Sequence, residues 1–322
     1  MADRLLNLLE ISKRNGTDEA VGLIEETNTV APEVEAITGR PINGISYIGK
    51  KRKSFPATPV FRNANEGVDI SSSLYEQFLN QCFFLDAQLQ IDEAILRAGK
   101  GEGNSAASIL MDEASGIVQQ KMIALGAQFY TGTTSGVPNA DAKGFIGLQG
   151  LYDTSNCEVT AGASTNTCSA YLVWNDLKGV HWIWGNNSGL ELGEWRTQQV
   201  KDSNSKSFTA WVNNLSGYVG LSFGHSRCVV RIKAIKNPSN GSTGWLTDAL
   251  VAEALSKMPI FMRRSPGLKL FANTTALLTL QKSRSTIVGS KTDALPLQFA
   301  PQPTESNGVP IVLTDSLPQT EA

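Results

Sequence analysis

A single periodic stripe constrains this chain more than any other feature. Leu110, Ala114, Val118, Met122, Leu125 and Phe129 follow one another by steps of four, four, four, three and four residues. That spacing lines one face of an α-helix, and Asn104 stands where an N-cap side chain is wanted. A helix from about Asn104 to Phe129 would be roughly 39 Å long at 1.5 Å per residue. This is two to three times the ordinary length, so it must pack along a wide sheet or span the molecule.

The segments on either side differ from it and from each other. Residues 3–14 place Leu5, Leu8, Leu9 and Ile11 at helical spacing and predict a short amphipathic helix ended by Asn15-Gly16. Residues 16–44 show no firm period, hold Pro32 and Pro41, and carry Glu25, Glu26, Glu33 and Glu35. They read as an extended arm outside the compact core. From Ile45 to about Leu96 the pattern is strand-like. There the basic run Lys50-Lys51-Arg52-Lys53 is followed by Pro56 and Pro59. Two prolines so close exclude a central strand, because each lacks the donor that a ladder requires. An edge ribbon or projecting loop is expected, with a turn at Asn63–Gly67 and a short helix around Ile91–Ala98 closing at Gly99.

After Gly132 the texture changes to short β runs separated by Gly, Asn and Ser, namely 171–174, 180–184, 208–212, 218–223 and 227–235. In the last of these Cys228, Val230, Ile232 and Ala234 share one face, while Arg227, Arg231 and Lys233 share the other with Val229. A helix is expected over about Asp248–Met258, with Thr247 as N-cap, Leu246 and Val251 as a hydrophobic staple, and Pro259 as its stop. A strand at Leu268–Ala272 leads through Asn273 into a helix carrying Leu277, Leu278 and Leu280, whose basic end holds Lys282 and Arg284. A final strand is expected at Pro310–Leu313. The class is mixed α+β, and 322 residues fit one large or two intertwined domains.

Catalytic chemistry finds little purchase. Cys82, Cys157, Cys168 and Cys228 form no CxxC pair, and none stands at zinc-ligand spacing from His181 or His225. His181 alternates with Val180, Trp182 and Trp184 and reads as structural or exposed. His225 lies in a turn, too close in sequence to Ser226 for a nucleophile–base pair. The glycines of GKGEGN at 99–104 follow no strand and read as a hinge before the long helix, and GSKT at 289–292 lacks the upstream glycine of a phosphate loop. Asp112 and Glu113 are adjacent on the helix and point about 100° apart. A net charge of −2 argues against capture of nucleic acid by the whole molecule, no run of about 18 apolar residues spans a membrane, and the start lacks the order of a signal peptide. Charged residues make up only 18% of the chain, consistent either with surface covered by other subunits or with an ordinary globule rich in Ser, Thr and Asn. The run Lys50, Lys51, Arg52 and Lys53 has three readings: a solvated loop tip, a nucleic-acid or localisation patch, and a complement to an acidic patch on a neighbouring subunit.

Several segments, in order, resemble the major capsid proteins of tailed bacteriophages. They are FPATPVFRNANEG at 55–67, LQIDEAILRAG at 89–99, the helix ending ALGAQFYTG followed by KGFIGLQGLYD at 143–153, RCVVRIKAI at 227–235, GWLTDALVAEALSKMPI at 244–260 and GVPIVLTDSLPQTE at 308–321. The resemblance implies the fold first seen in phage Hong Kong 97. Residues 1–44 would be its N-terminal arm and 45–98 its E-loop and short helix. Residues 99–150 would hold the spine helix and the start of the P domain, and 151–243 a β-rich P and A section. Residues 244–322 would hold the A-domain helices and strand with a C-terminal P-domain return strand. It also implies a virion protein, made in the host cytoplasm, that self-assembles into hexamers and pentamers of an icosahedral head around double-stranded DNA held without sequence specificity. Scaffolding, portal and decoration proteins would be its further partners, with no cofactor, metal or membrane. Lys50, Lys51, Arg52, Lys53, Phe61 and Arg62 are the expected inter-subunit contacts, the E-loop lying on a neighbour and the arm reaching beneath another. An encapsulin-type shell, and a phage tail or decoration protein, are the alternatives.

Overall fold

The computed structural model describes residues 31–99, 106–133, 141–163, 165, 167–236, 243–288 and 300–321. The expected helix at 3–14, the first part of the arm, the N-cap Asn104, the hinge beyond Gly99 and the GSKT tetrapeptide lie outside the described residues.

The described end of the expected arm belongs to the body. A one-turn helix α1 (Glu33–Ala36) leads into β1 (Gly39–Pro41), and Glu33, Ile37 and Ile42 are all buried. Strand β1 runs parallel to β8 (Val180–Trp184), with Gly39 opposite Trp182 and Pro41 opposite Trp184. Gly39 admits the Trp184 ring, whose Nε1 would lie 2.6 Å from a Cβ at that position. A three-residue strand beside prolines has no hydrophobic period, which is why the sequence pattern places it outside the core.

Strands β2 (Ser46–Ser54) and β3 (Leu74–Gln81) form a two-stranded ribbon, followed by β4 (Phe83–Phe84), β5 (Ala87–Asp92) and α2 (Glu93–Gly99). The long helix is α3, Ala106–Thr131, 26 residues. It spans the molecule, with each end in a different core. Near its start Ile109 is buried with Ile91 and Leu96, against Leu110, Trp195 and Trp211. Val118 and Met122 midway are half-buried. At its far end Leu125 to Tyr130 are all buried, so the expected stripe widens there into complete enclosure. The helix stops at Gly132, whose φ of +61° is a left-handed conformation that glycine adopts without steric cost.

That enclosure is built by sheets. Six strands run in the order β15 (Glu305–Ser306), β16 (Val309–Leu313), β14 (Leu268–Ala272), β7 (Thr167–Trp174), β13 (Val229–Lys236) and β6 (Glu158–Thr160). Phe271 and Tyr171 are cross-strand partners and meet the end of α3, with Phe129 6.1 Å from Phe271 and Tyr130 5.3 Å from Tyr171. The alternate row, Val230, Leu172 and Leu270, is equally buried, so both faces are covered and β7 reads as a continuous apolar run. The expected alternation of β13 fails at its end. Ala234 has φ +60° in a bulge between Ile232 and Ile235, and the extra residue hands the core position from Ala234 to Ile235.

A second sheet has the order β1, β8, β12 (Tyr218–Phe223), β4. Its Trp182 is fully buried beside Phe129 and Phe145, at 5.4 and 5.7 Å. A third joins β10 (Arg196–Lys201), β11 (Ser207–Ser216) and β5, with β9 (Glu191–Leu192) also on β11. The one-turn helix α4 (Leu148–Leu151) packs against α3. Helix α5 (Asp248–Lys257) begins as expected, Thr247 Oγ1 accepting the Leu250 N–H at 3.3 Å, and Leu246 and Val251 are both buried. Pro259 ends it and opens the short α6 (Ile260–Arg263). Asn273 caps α7 (Thr274–Val288) by accepting the Ala276 N–H at 2.9 Å, and Arg284 of α7 makes two bonds to the Asp248 carboxylate, at 2.7 and 2.8 Å.

Candidate functional site

The ribbon is held to the body at its root. Ser46 pairs with Gln81 there and Ser54 with Leu74 at the far end, a register slip falling between Arg52 and Ser54. Nine residues of β2 reach about 30 Å at 3.3 Å each. At the root Asn80 Nδ2 donates to Ser222 Oγ at 3.1 Å, the Cys82 N–H to the Ile45 carbonyl at 2.8 Å, and the Tyr47 ring stands edge-on to Phe78. Phe78 lies across Gly49, its cross-strand partner, so closely that a Cβ there would fall 2.2 Å from the ring.

Beyond the root apolar side chains point into solvent. Phe61 and Ile70 are completely exposed, at 107% and 101%, and Ile48, Phe55, Val60, Val68, Leu74 and Leu79 are more than half exposed. The connection 55–73 forms no strand and is closed on itself by contacts such as the Ala57 N–H to Ser71 Oγ at 2.9 Å. A lone two-stranded ribbon is marginal in water, and this one carries eight large apolar side chains that are more than half exposed.

The basic run lies within β2, so it is the flank of the ribbon and not its tip. Lys51 Nζ sits 5.7 Å from the Phe78 ring centre. Arg52 lies between the rings of Phe55 and Tyr75, at 5.2 and 5.4 Å, and donates to the Tyr75 hydroxyl at 3.0 Å. Lys53 pairs with Glu76 at 3.5 Å; Lys50 is opposite Gln77. Phe61 and Arg62 are in the connection, Arg62 donating to the Glu66 carbonyl at 3.0 Å. The side chains fall in two groups, cations along β2, where Lys50 and Lys51 point to opposite faces of the ribbon, and apolar residues around the connection. Sequence reasoning found the cations and missed Phe55, Val60, Val68 and Ile70. Their exposure carries no periodic mark, although so many apolar residues among prolines is itself a signal.

His181 is buried beneath the root, Tyr47 edge-on to it at 6.2 Å, and burial pushes its pKa down. His225 Nδ1 accepts the Arg227 N–H at 3.0 Å. All four cysteines are free and buried, and burial pushes the thiols of Cys82 and Cys168 up to about 11 and that of Cys228 to about 12. Among the described residues no three His, Cys, Asp or Glu side chains gather as a metal site, and no helix is long and apolar enough to cross a membrane.

The family model for Major capsid protein GP7 matches residues 14–322. The chain belongs to that family. It is a structural protein of the phage head, it self-associates in the capsid lattice, and the virion is its place. The capsid protein superposes on a chain of the bacteriophage Epsilon15 structure with a TM-score of 0.71 and 19% identity, over 98% of this chain and 96% of that one. That match shows the Hong Kong 97-like fold independently of the sequence family. Chains of the bacteriophage JBD30 capsid (TM-score 0.46, 13% identity, 90% and 91% covered) and the Myoviridae phage XM1 capsid (0.47, 9%, 72% and 99%) are more distant. No curated protein sequence matches the capsid protein.

Proposed function

We propose that this capsid protein forms hexamers and pentamers that close into an icosahedral head around double-stranded DNA, and that the ribbon 46–81 is the E-loop, lying on a neighbouring copy. Its work is self-association, without catalysis. The observation that carries the reading is the ribbon itself, an element with its apolar side chains in solvent that the body does not cover. Docked on a neighbour, each buried Å² of that surface contributes about 25 cal/mol, repeated at every contact of the shell. Lys50, Lys51, Arg52 and Lys53 would set register against an acidic surface of the neighbour more than they add affinity. The same reading makes α3 the spine helix that opens the P domain, keeps the strands between 151 and 243 as a joint P and A section, and gives α5, α7 and β14 to the A domain with β16 as a C-terminal P-domain return strand. Synthesis in the host cytoplasm, with scaffolding, portal and decoration proteins as further partners, belongs to it too.

Deleting residues 48–60 tests the assignment. The expected result is a soluble, folded chain that forms no particles by electron microscopy, since the root contacts of Asn80 and Cys82 remain. Normal particles from that variant would end the E-loop reading.

A further inference from the structure

The seat of the ribbon contains a histidine with nothing to bond to. His181 is 1% exposed, and neither Nδ1 nor Nε2 meets a partner at hydrogen-bond geometry. Buried polar groups are paired as a rule, and this one stands at the join between ribbon and body. On β8 it shares a face with Ile183. Ile183, Ile42 and Cys82 make the small core of that join, with Tyr47 and Tyr218 packed on it. The Tyr47 ring stands edge-on to the imidazole at 6.2 Å. Ser222, the cross-strand partner of His181, is the residue that accepts from Asn80 at 3.1 Å, and Asn80 is in turn opposite Tyr47. The imidazole therefore lies under the two ribbon residues that seat the root.

A neutral ring fits this place and a charged one does not. Desolvation is the largest influence on the imidazole and disfavours its charged form. Among the described residues, Arg40 of β1 opposes a proton by its charge, while Asp176, in the turn after β7, favours one through its backbone and its charge. The Asp176 carboxylate is already engaged by the Lys178 N–H at 2.8 Å, and the Arg40 guanidinium is held over the Tyr47 ring at 4.9 Å. From the ribbon side, Tyr47 offers its ring, and burial keeps the Cys82 thiol protonated by pushing it up to about 11. An imidazolium here would have two N–H donors, no acceptor at bonding distance, and a second cation nearby. With the root seated, burial favours the neutral ring; with the root lifted, water returns it to the ordinary value near 6.5. The seat is therefore firm above that value and weakens as pH falls below it, by up to about thirtyfold in the opening equilibrium at pH 5.

We propose that His181 is an acid-sensitive latch on the ribbon: a proton on its ring unseats Tyr47 and Asn80 and frees the ribbon to swing on the body. The latch is a property of the single chain, and it stands whether or not the ribbon goes on to lie on a neighbouring copy.

Hydrogen exchange of the purified full chain, read by mass spectrometry and corrected for the intrinsic effect of pH on exchange, tests this. From pH 7 to pH 5 the amides of residues 47–50 and 78–81 should lose at least fivefold in protection, while those of β7 and β13 keep theirs. His181→Phe and, should that ring not fit, His181→Leu should remove the loss, and His225→Gln should leave it in place. A root equally protected at both pH values, a loss that persists in the folded His181 variant or vanishes with His225→Gln, or a loss shared by β7 and β13 would each overturn the proposal. The chain has two histidines, so their ring signals can be assigned by nuclear magnetic resonance with one variant. A His181 ring that titrates at its ordinary value while the root stays protected would overturn it as well.

Discussion

Glu33 shows how one side chain can hold three separate stretches of the chain together. Its carboxylate accepts the hydroxyls of Tyr130 (2.9 Å), Ser316 (3.2 Å) and Thr314, and its backbone carbonyl accepts Trp182 Nε1 at 3.1 Å. Gly126 makes room, since a Cβ there would meet Ser316 Oγ at 2.2 Å and Glu33 Oε2 at 2.8 Å. Burial raises the pKa of the carboxyl above its ordinary value, and the hydroxyl bonds offset only part of that. Glu33→Ala should cost about 3 kcal/mol in urea unfolding, because it leaves the buried hydroxyls without their acceptor. Glu33→Gln should cost less. The pH dependence has a definite sign. A carboxyl with a raised folded pKa favours the fold most when protonated, so this contribution is full below the ordinary glutamate value and is lost as pH rises through the raised one. The stability of the wild type relative to Glu33→Gln should therefore increase from pH 7 toward pH 4. A difference that stays flat would show that the carboxylate is not strained by burial.

At the scale of elements, strand β13 holds a local conflict that can be relieved. Ala234 sits at φ +60°, which costs a residue with a Cβ about 1 kcal/mol. Ala234→Gly should raise stability by about 0.5 kcal/mol after the extra chain entropy of glycine is subtracted, and Ala234→Val should lower it, both read as urea midpoints. The same strand shows where sequence patterns stop being informative. Alternation is legible only from Val230 to Ile232: Val229, expected on the face of the basic residues, is fully buried, and the pattern fails again where the bulge inserts a residue. Strands β8 and β12, buried and rich in Trp, Val and Leu, were legible to the residue, and α5 was legible to within one residue at its end, because Thr247, Leu246 and Pro259 each have a local role. Strand β10 was not legible. Its residues Arg196 to Lys201 are mostly exposed and all polar except Val200, so nothing in their order separates a strand from a loop. The core position of Ile37 depends on pairing with β8, about 140 residues away, which no local period encodes.

Across the whole molecule, the ribbon separates folding from assembly. Phe61 and Ile70 contribute little to the stability of the isolated chain, because both are fully exposed. Phe61→Ser with Ile70→Ser should leave the urea midpoint unchanged within about 0.5 kcal/mol while lowering particle yield at least tenfold by electron microscopy. An unchanged yield would remove these side chains from the contact. The long helix has a consequence of a different kind. Gly116 is exposed and nothing lies within 4 Å of where its Cβ would be, and it falls between the anchored ends at Ile109 and Leu125. An exposed glycine inside a helix weakens it by about 1 kcal/mol relative to alanine. Ten degrees of flexure there would swing the near end, ten residues away, by roughly 3 Å. A closed container built from more than about sixty copies of one chain has to seat that chain at slightly unequal inclinations, and an uncrowded stretch of backbone between two firmly gripped ends supplies that latitude without disturbing either grip.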